Sequence, residues 1–123
     1  MNLQQGRGSL ADSFISRTAV GTGSAVALYT VPTADQNSQP PILPTTTLVK
    51  SIRLSNQTGG AVTTTVSFFD NSNSDLEVPL YKDSLADGTE QEVLTQPFVM
   101  EKADAIKLTG LNVTILVSMM EIT

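Results

Sequence analysis

From Ala25 onward the apolar residues recur at every second position in short runs, and turn-forming residues interrupt each run. That period matches a pleated strand, whose side chains alternate between two faces, and not the 3.6-residue period of a helix. Val26 and Leu28 fall on one face of the first run, Ala27, Tyr29 and Val31 on the other, and Pro32 ends it. Leu48–Asn56 forms the next run, with Leu48, Ile52 and Leu54 on one face. Gln57-Thr58-Gly59-Gly60 reads as a turn into Val62, Val66 and Phe68, so the two runs are expected to form a hairpin. Shorter strands follow at Leu76–Leu80, Gln91–Leu94, Phe98–Met100 and Ile106–Leu108, and Pro79 marks the first of them as a sheet edge.

The closing run, Val113–Ile122, differs from the rest because it is apolar on both faces. Val113, Ile115, Val117 and Met119 lie on one side, Leu116, Met120 and Ile122 on the other. Such a strand is central, or it meets a partner on its second side. Short strands with regular turns and no helical stripe predict an all-β fold, a single antiparallel β-sandwich of jelly-roll or Ig-like type spanning 25–123. A chain of 123 residues holds one such domain.

Two segments do not fit the alternation. Residues 1–24 contain Gly6, Gly8, Gly21 and Gly23, with Leu3, Leu10, Phe14 and Ile15 as the large apolar anchors. They are expected to be an N-terminal arm that becomes ordered on a neighbour. Residues 33–46 hold Pro40, Pro41 and Pro44 among polar residues and read as a long surface loop, where Pro40, Pro41 and Ile42 are contact candidates.

Composition narrows the chemistry. The chain has no Cys and no His, which removes disulfides, thiolate nucleophiles and the commonest neutral-pH acid–base and metal-ligating side chain. Net charge is −5, and the four Lys and three Arg are scattered, so the clustered cations that phosphate binding requires are missing. Nucleic acid is therefore not an expected partner. The longest apolar stretch is strand-sized and no apolar leader opens the chain, so neither a membrane span nor an export signal is expected. Ser and Thr exceed a fifth of the residues, which suits half-solvated sheet surfaces.

Three constellations admit a functional reading and a plainer one. Asp70-Asn71-Ser72-Asn73-Ser74-Asp75 offers oxygens for a hard cation, but it lacks the Gly and Glu of an EF-hand loop, and the same residues favour hairpin turns. Glu90, Glu92, Glu101 and Asp104 could supply paired carboxylates for hydrolysis, yet Glu90 and Glu92 share one face of a strand, where a solvated edge is the simpler account. Tyr29 and Tyr81 are the only large polar aromatics available to stack on a sugar, and both sit inside strand patterns. Met119 and Met120 read as core filler before interface. The expectation is a protein without catalytic residues, metal or cofactor.

An ordered series of short motifs, Leu28-Tyr29-Thr30-Val31-Pro32, Val49–Asn56, Val62–Asp70 and the closing Val117-Ser118-Met119-Met120-Glu121-Ile122-Thr123, resembles small β-sandwich virion proteins of tailed bacteriophages. The resemblance covers about residues 25–123 and implies a capsid decoration, or cement, protein on the outer surface of the head, made in the host cytoplasm. Its partner would be the major capsid protein or another virion protein, and its own state a homo-oligomer such as a trimer. A neck, tail or fibre-base component and a receptor- or glycan-binding module are the alternatives. The segment 1–24 and the loop 33–46 depart from the pattern, being absent or shorter in such proteins.

Overall fold

The computed structural model describes residues 12–123. Nine strands run through them: β1 (Asp12–Val20), β2 (Val26–Thr30), β3 (Thr46–Asn56), β4 (Val62–Asp70), β5 (Leu76–Leu85), β6 (Thr89–Glu92), β7 (Phe98–Met100), β8 (Ala105–Thr109) and β9 (Thr114–Ile122). One turn of 3-10 helix, Asn71–Asn73, is the only helical element among the described residues. Every ladder is antiparallel. One sheet has the order β1-β9-β3-β6, with β7 also pairing on β3, and the other has the order β2-β8-β4-β5.

That order settles which sandwich this is. Taking the short β7 as an addition, each sheet interleaves early and late strands, the double Greek key of a jelly roll. The core lies between the sheets. Val49, Ile52 and Leu54 of β3 and Ile115, Val117 and Met119 of β9 face Val66, Leu85, Ile106 and Leu108 of the opposite sheet. Phe68 and Phe98 meet edge to face across the gap, with ring centroids 5.6 Å apart. Burying each such side chain contributes about 1.5–3 kcal/mol, so this inner layer supplies most of the driving force.

Three features depart from the sequence reading. First, Leu48 does not share a face with Ile52 and Leu54. A bulge between Val49 and Ser51 shifts the register, so Leu48 turns outward while Val49 takes its place in the core. Second, β3 and β4 do not form a hairpin but belong to different sheets. Asn56 makes the crossing. Its fully buried amide donates to Leu85 O at 2.7 Å and Gly60 O at 2.9 Å, while Oδ1 accepts from Thr58 N at 3.0 Å. Tied to β5 in this way, the chain passes over to the second sheet instead of folding back.

Third, residues 12–20 are not an arm. They form β1, paired with β9 along its whole length without a break in register. The next turn is anchored by bonds from Gly21 N to Val113 O at 2.7 Å and from Gly110 N to Thr22 O at 3.0 Å. Gly21 packs so tightly that an added Cβ would fall 2.1 Å from Gly110 O. An edge strand with one solvated face needs few apolar residues, so its alternation is faint in sequence. The rest of the expected arm, with Leu3 and Leu10, lies outside the described residues. The 33–46 loop stays a loop, pinched by a two-bond bridge between Asp35 and Ile42 (2.8 and 2.9 Å).

One polar bridge ties the two sheets together. The Tyr29 hydroxyl of β2 donates to Glu121 Oε2 of β9 at 2.6 Å and lies 2.7 Å from the buried Thr47 Oγ1 of β3. Burial, and then the bond to the carboxylate, push the Tyr29 phenol far above its ordinary value of 10 and keep it protonated as a donor. Tyr29→Phe removes both contacts and leaves the Thr47 hydroxyl unpaired in the interior. It is expected to cost about 1.5–3 kcal/mol, read as a lower urea midpoint at unchanged slope. An unchanged midpoint would show that the bridge contributes nothing net.

Candidate functional site

The register of the five-stranded sheet assigns every residue of its outer face. Phe14 lies opposite Met120, Met120 opposite Leu48, and Leu48 opposite Val99. Four apolar side chains therefore form one unbroken row across β1, β9, β3 and β7. Phe14 is 74% exposed and Val99 55%, far beyond what core packing would leave. Ile122 flanks the row on one side, and Leu116 lies on the same face two outward positions beyond Met120 on the other, both partly exposed. Lys50, at the bulge, reaches over the Phe14 ring with Nζ 5.3 Å from its centroid.

Beside the apolar row runs a row of small polar residues, Ser16, Ser118 and Ser51, paired across the same strands. Their short side chains leave a hollow of about 430 Å³ bordered by Phe14, Lys50 and Ser118. A second hollow, about 540 Å³, lies farther along the face beside Val20, Arg53, Glu90 and Leu116. The other sheet presents a different surface. Thr63, Thr65, Lys82, Ser84 and Lys107 dominate its outer side, and its one large ring there, Phe69, is covered by Lys107 Nζ at 4.5 Å. The molecule is thus apolar on one outer face and polar on the other, the pattern of a contact surface.

Of the four candidate carboxylates, Glu92 and Asp104 brace connections. Glu92 accepts from Ser51 Oγ at 2.6 Å, Ile52 N at 2.9 Å and Leu94 N at 3.2 Å, clamping the end of β6 to β3. Partial burial raises its pKa, but these donors together outweigh burial, with help from Arg53, and hold the carboxyl below its ordinary 4.5. Glu90 lies 3.6 Å from Arg53 on the open surface, a pair of little energetic weight. Asp104, nearly fully buried, accepts from Asn71 N at 2.9 Å and Glu101 N at 2.8 Å, joining two loops.

Asp70–Asp75 closes the β4–β5 connection as a turn. Ser72 Oγ donates to Asp70 at 2.7 Å, and Ser74 and Asp75 both take φ of 57°. The described residues contain no group of three or more His, Cys, Asp or Glu able to hold a metal. Tyr29 is buried and Tyr81 half-buried, so the ring most open to solvent on the five-stranded sheet is Phe14.

The residues expected to make contacts are distributed unevenly. Phe14 stands on the exposed face, whereas its neighbour Ile15 points inward against the protein's own core, which corrects its assignment as an anchor for a neighbour. Pro40, Pro41 and Ile42 are exposed on the loop. Leu3 and Leu10 lie outside the described residues. The methionine pair splits: Met119 is core, and Met120 belongs to the outer row. Val99, Leu116 and Leu48 were not singled out as contact residues. The one available signal was the second apolar face of the last strand, which contributes Leu116, Met120 and Ile122.

No family model matches the chain, and no curated protein matches it. Among solved structures it is similar to a chain of Bacillus endospore appendages, described as disulfide-linked pili, at 17% identity and a TM-score of 0.49, covering 92% of this chain and 87% of that one. It is also similar to chains of infectious bursal disease virus, strain Gx at 11% identity and TM-score 0.40, and strain Gt at 12% and 0.36. These alignments cover 89% and 91% of this chain but only 31% of each virus chain.

The Glu92 clamp has a pH signature. Its folded-state pKa lies below the unfolded one, so its contribution is complete above about pH 4.5 and is lost as pH falls through the depressed value. Glu92→Gln is expected to flatten the loss of thermal stability below that pH while leaving the neutral-pH fold intact. Identical acid profiles for the two proteins would mean that the clamp plays no part in acid sensitivity.

Proposed function

We propose that this chain is a virion structural protein of a tailed bacteriophage, a decoration protein on the outer surface of the head that docks on major capsid subunits. The observation that carries this reading is the exposed row Phe14–Met120–Leu48–Val99, an apolar outer face on the five-stranded sheet. The resemblance of the strand motifs to phage virion proteins supports it, as does the jelly roll, a fold used by viral capsid and lectin domains. Fold alone does not fix function, so the weight rests on the face. The exposed loop residues Pro40, Pro41 and Ile42 are a second contact, to a neighbouring subunit.

Docking through such a face suits a shell. Each exposed apolar side chain contributes at most about 1.5–3 kcal/mol when buried. A contact of that size is modest for one molecule, but a symmetric shell repeats it many times and converts it into resistance of the whole lattice to opening.

The test uses heads lacking the protein. Val99→Glu and Leu116→Glu place carboxylates on the face at exposed positions, where the fold tolerates them. Both are expected to keep the native circular dichroism spectrum and to lose occupancy on heads by tenfold or more at limiting protein, with heads opening at lower temperature. Occupancy equal to that of the unaltered protein would remove the face from the mechanism. Binding to tails but not to heads would transfer the protein to the neck or tail, and binding to neither, with retention on a glycan array, would favour the receptor-binding alternative.

A further inference from the structure

A sheet edge exposes unpaired N–H and C=O groups, and proteins protect such edges with short strands, bulges, prolines or charges. Three of the four edges in this sandwich are protected in these ways. β2 has five residues and a bulge between Ala27 and Tyr29. β5 carries Pro79, and its ladder is bulged between Val66 and Ser67. The far side of the five-stranded sheet is divided between the four-residue β6, with Glu90 and Glu92, and the three-residue β7. β1 is unprotected. It runs nine residues in unbroken register, has neither Pro nor Lys, and bears only Asp12 and Arg17 as charges.

We infer that β1 pairs antiparallel with β1 of a second copy of this chain, joining two five-stranded sheets into one. The partner is read from the strand itself. Antiparallel self-pairing can set Asp12 of each copy opposite Thr18 and Arg17 opposite Ser13, with no charge facing a like charge, whereas in-register parallel pairing sets Asp12 beside Asp12 and Arg17 beside Arg17. A twofold axis demands a self-complementary surface, and only one register provides it. Centring on Arg17 opposes two guanidinium groups. Centring on Ser16 sets Ile15 against Arg17 and Asp12 against Val20. Centring on Phe14 pairs only residues 12–16 of the strand.

Centring on Ile15 resolves these conflicts. Ile15 meets its own copy, Ser13 meets Arg17, Asp12 meets Thr18, and seven residues overlap, from Asp12 to Thr18. On the outer face the two Phe14 rings become diagonal neighbours, a separation of roughly 7–8 Å that aromatic side chains span. Phe14, at 74% exposed, thereby gains cover, and the two apolar rows lie on one side of the joined sheet. This inference does not depend on what the apolar face binds.

The chain contains no cysteine, so single Cys variants report the register directly. Under mild oxidation Ile15→Cys is expected to form a disulfide-linked dimer, because residues opposite each other in antiparallel strands have Cα atoms about 4.5–5.5 Å apart. Ser13→Cys and Arg17→Cys are each expected to stay unlinked alone and to link when mixed. The unaltered full chain should sediment at twice its 13.1 kDa mass, and Phe14→Glu, which sets two carboxylates diagonally across the join, should raise the dissociation constant at least tenfold. A monomer at every concentration up to about 1 mM would overturn the proposal. So would self-linking at Arg17→Cys in place of Ile15→Cys, or a dimer as tight for Phe14→Glu as for the unaltered chain. Failure of this test leaves the head-binding test intact, since Val99 lies on β7, across the sheet from the β1 edge.

Discussion

The structure depends on β9, a strand apolar on both faces and held between two neighbours. Through Ile115, Val117 and Met119 it supplies the inner layer against which the second sheet packs. Its other side carries Leu116, Met120 and Ile122 to the outer surface. A strand in that position has two apolar surfaces to bury and only one core within its own chain. Moving any one of these side chains by a single register step would exchange the two surfaces, because successive residues point opposite ways. The unbroken ladder with β1 and the nearly complete ladder with β3 fix that choice.

Polar groups in this molecule are committed to holding connections in place. Asn56 turns the chain from one sheet to the other, Asp104 ties the β7–β8 loop to the 3-10 turn, and Tyr29 joins β2 to β3 and β9. Among the described residues every buried side-chain nitrogen and oxygen has a hydrogen-bond partner.

What was legible in the sequence followed from local periodicity. The period-two runs identified the strands of the core, Pro79 identified the edge at β5, and the double apolar character of the last strand pointed to its central place. What was hidden depended on non-local facts. The bulge at Lys50 reverses the face of Leu48, and a bulge is set by the partner strand, not by the residue that carries it. The β3–β4 crossing looked like a hairpin because Gln57–Gly60 has turn composition, and only the bond from Asn56 to Leu85 explains why the chain changes sheets. β1 was read as an arm because a strand solvated on one face and unpaired along one edge needs few apolar residues to hold its place. Of the contact face, Phe14 was singled out and Val99 was not, since a three-residue strand carries no periodic signal at all.

The asymmetry between the two outer faces gives the sandwich a direction. On the four-stranded sheet, Thr, Ser and Lys keep the surface hydrated, and Lys107 lies across the one large ring there. On the five-stranded sheet, Lys50 covers only part of Phe14 and the rest of the row stays open. A domain built this way can lie with one face against a support and present the other to water, which a molecule apolar on both sides could not do without stacking on itself. The β1 edge, unprotected among the described residues, adds a second direction, at right angles to the first, because strands extend a sheet in its own plane. On the two proposals above, the face would set the domain on a surface and the edge would join it to one twofold-related neighbour in the same plane.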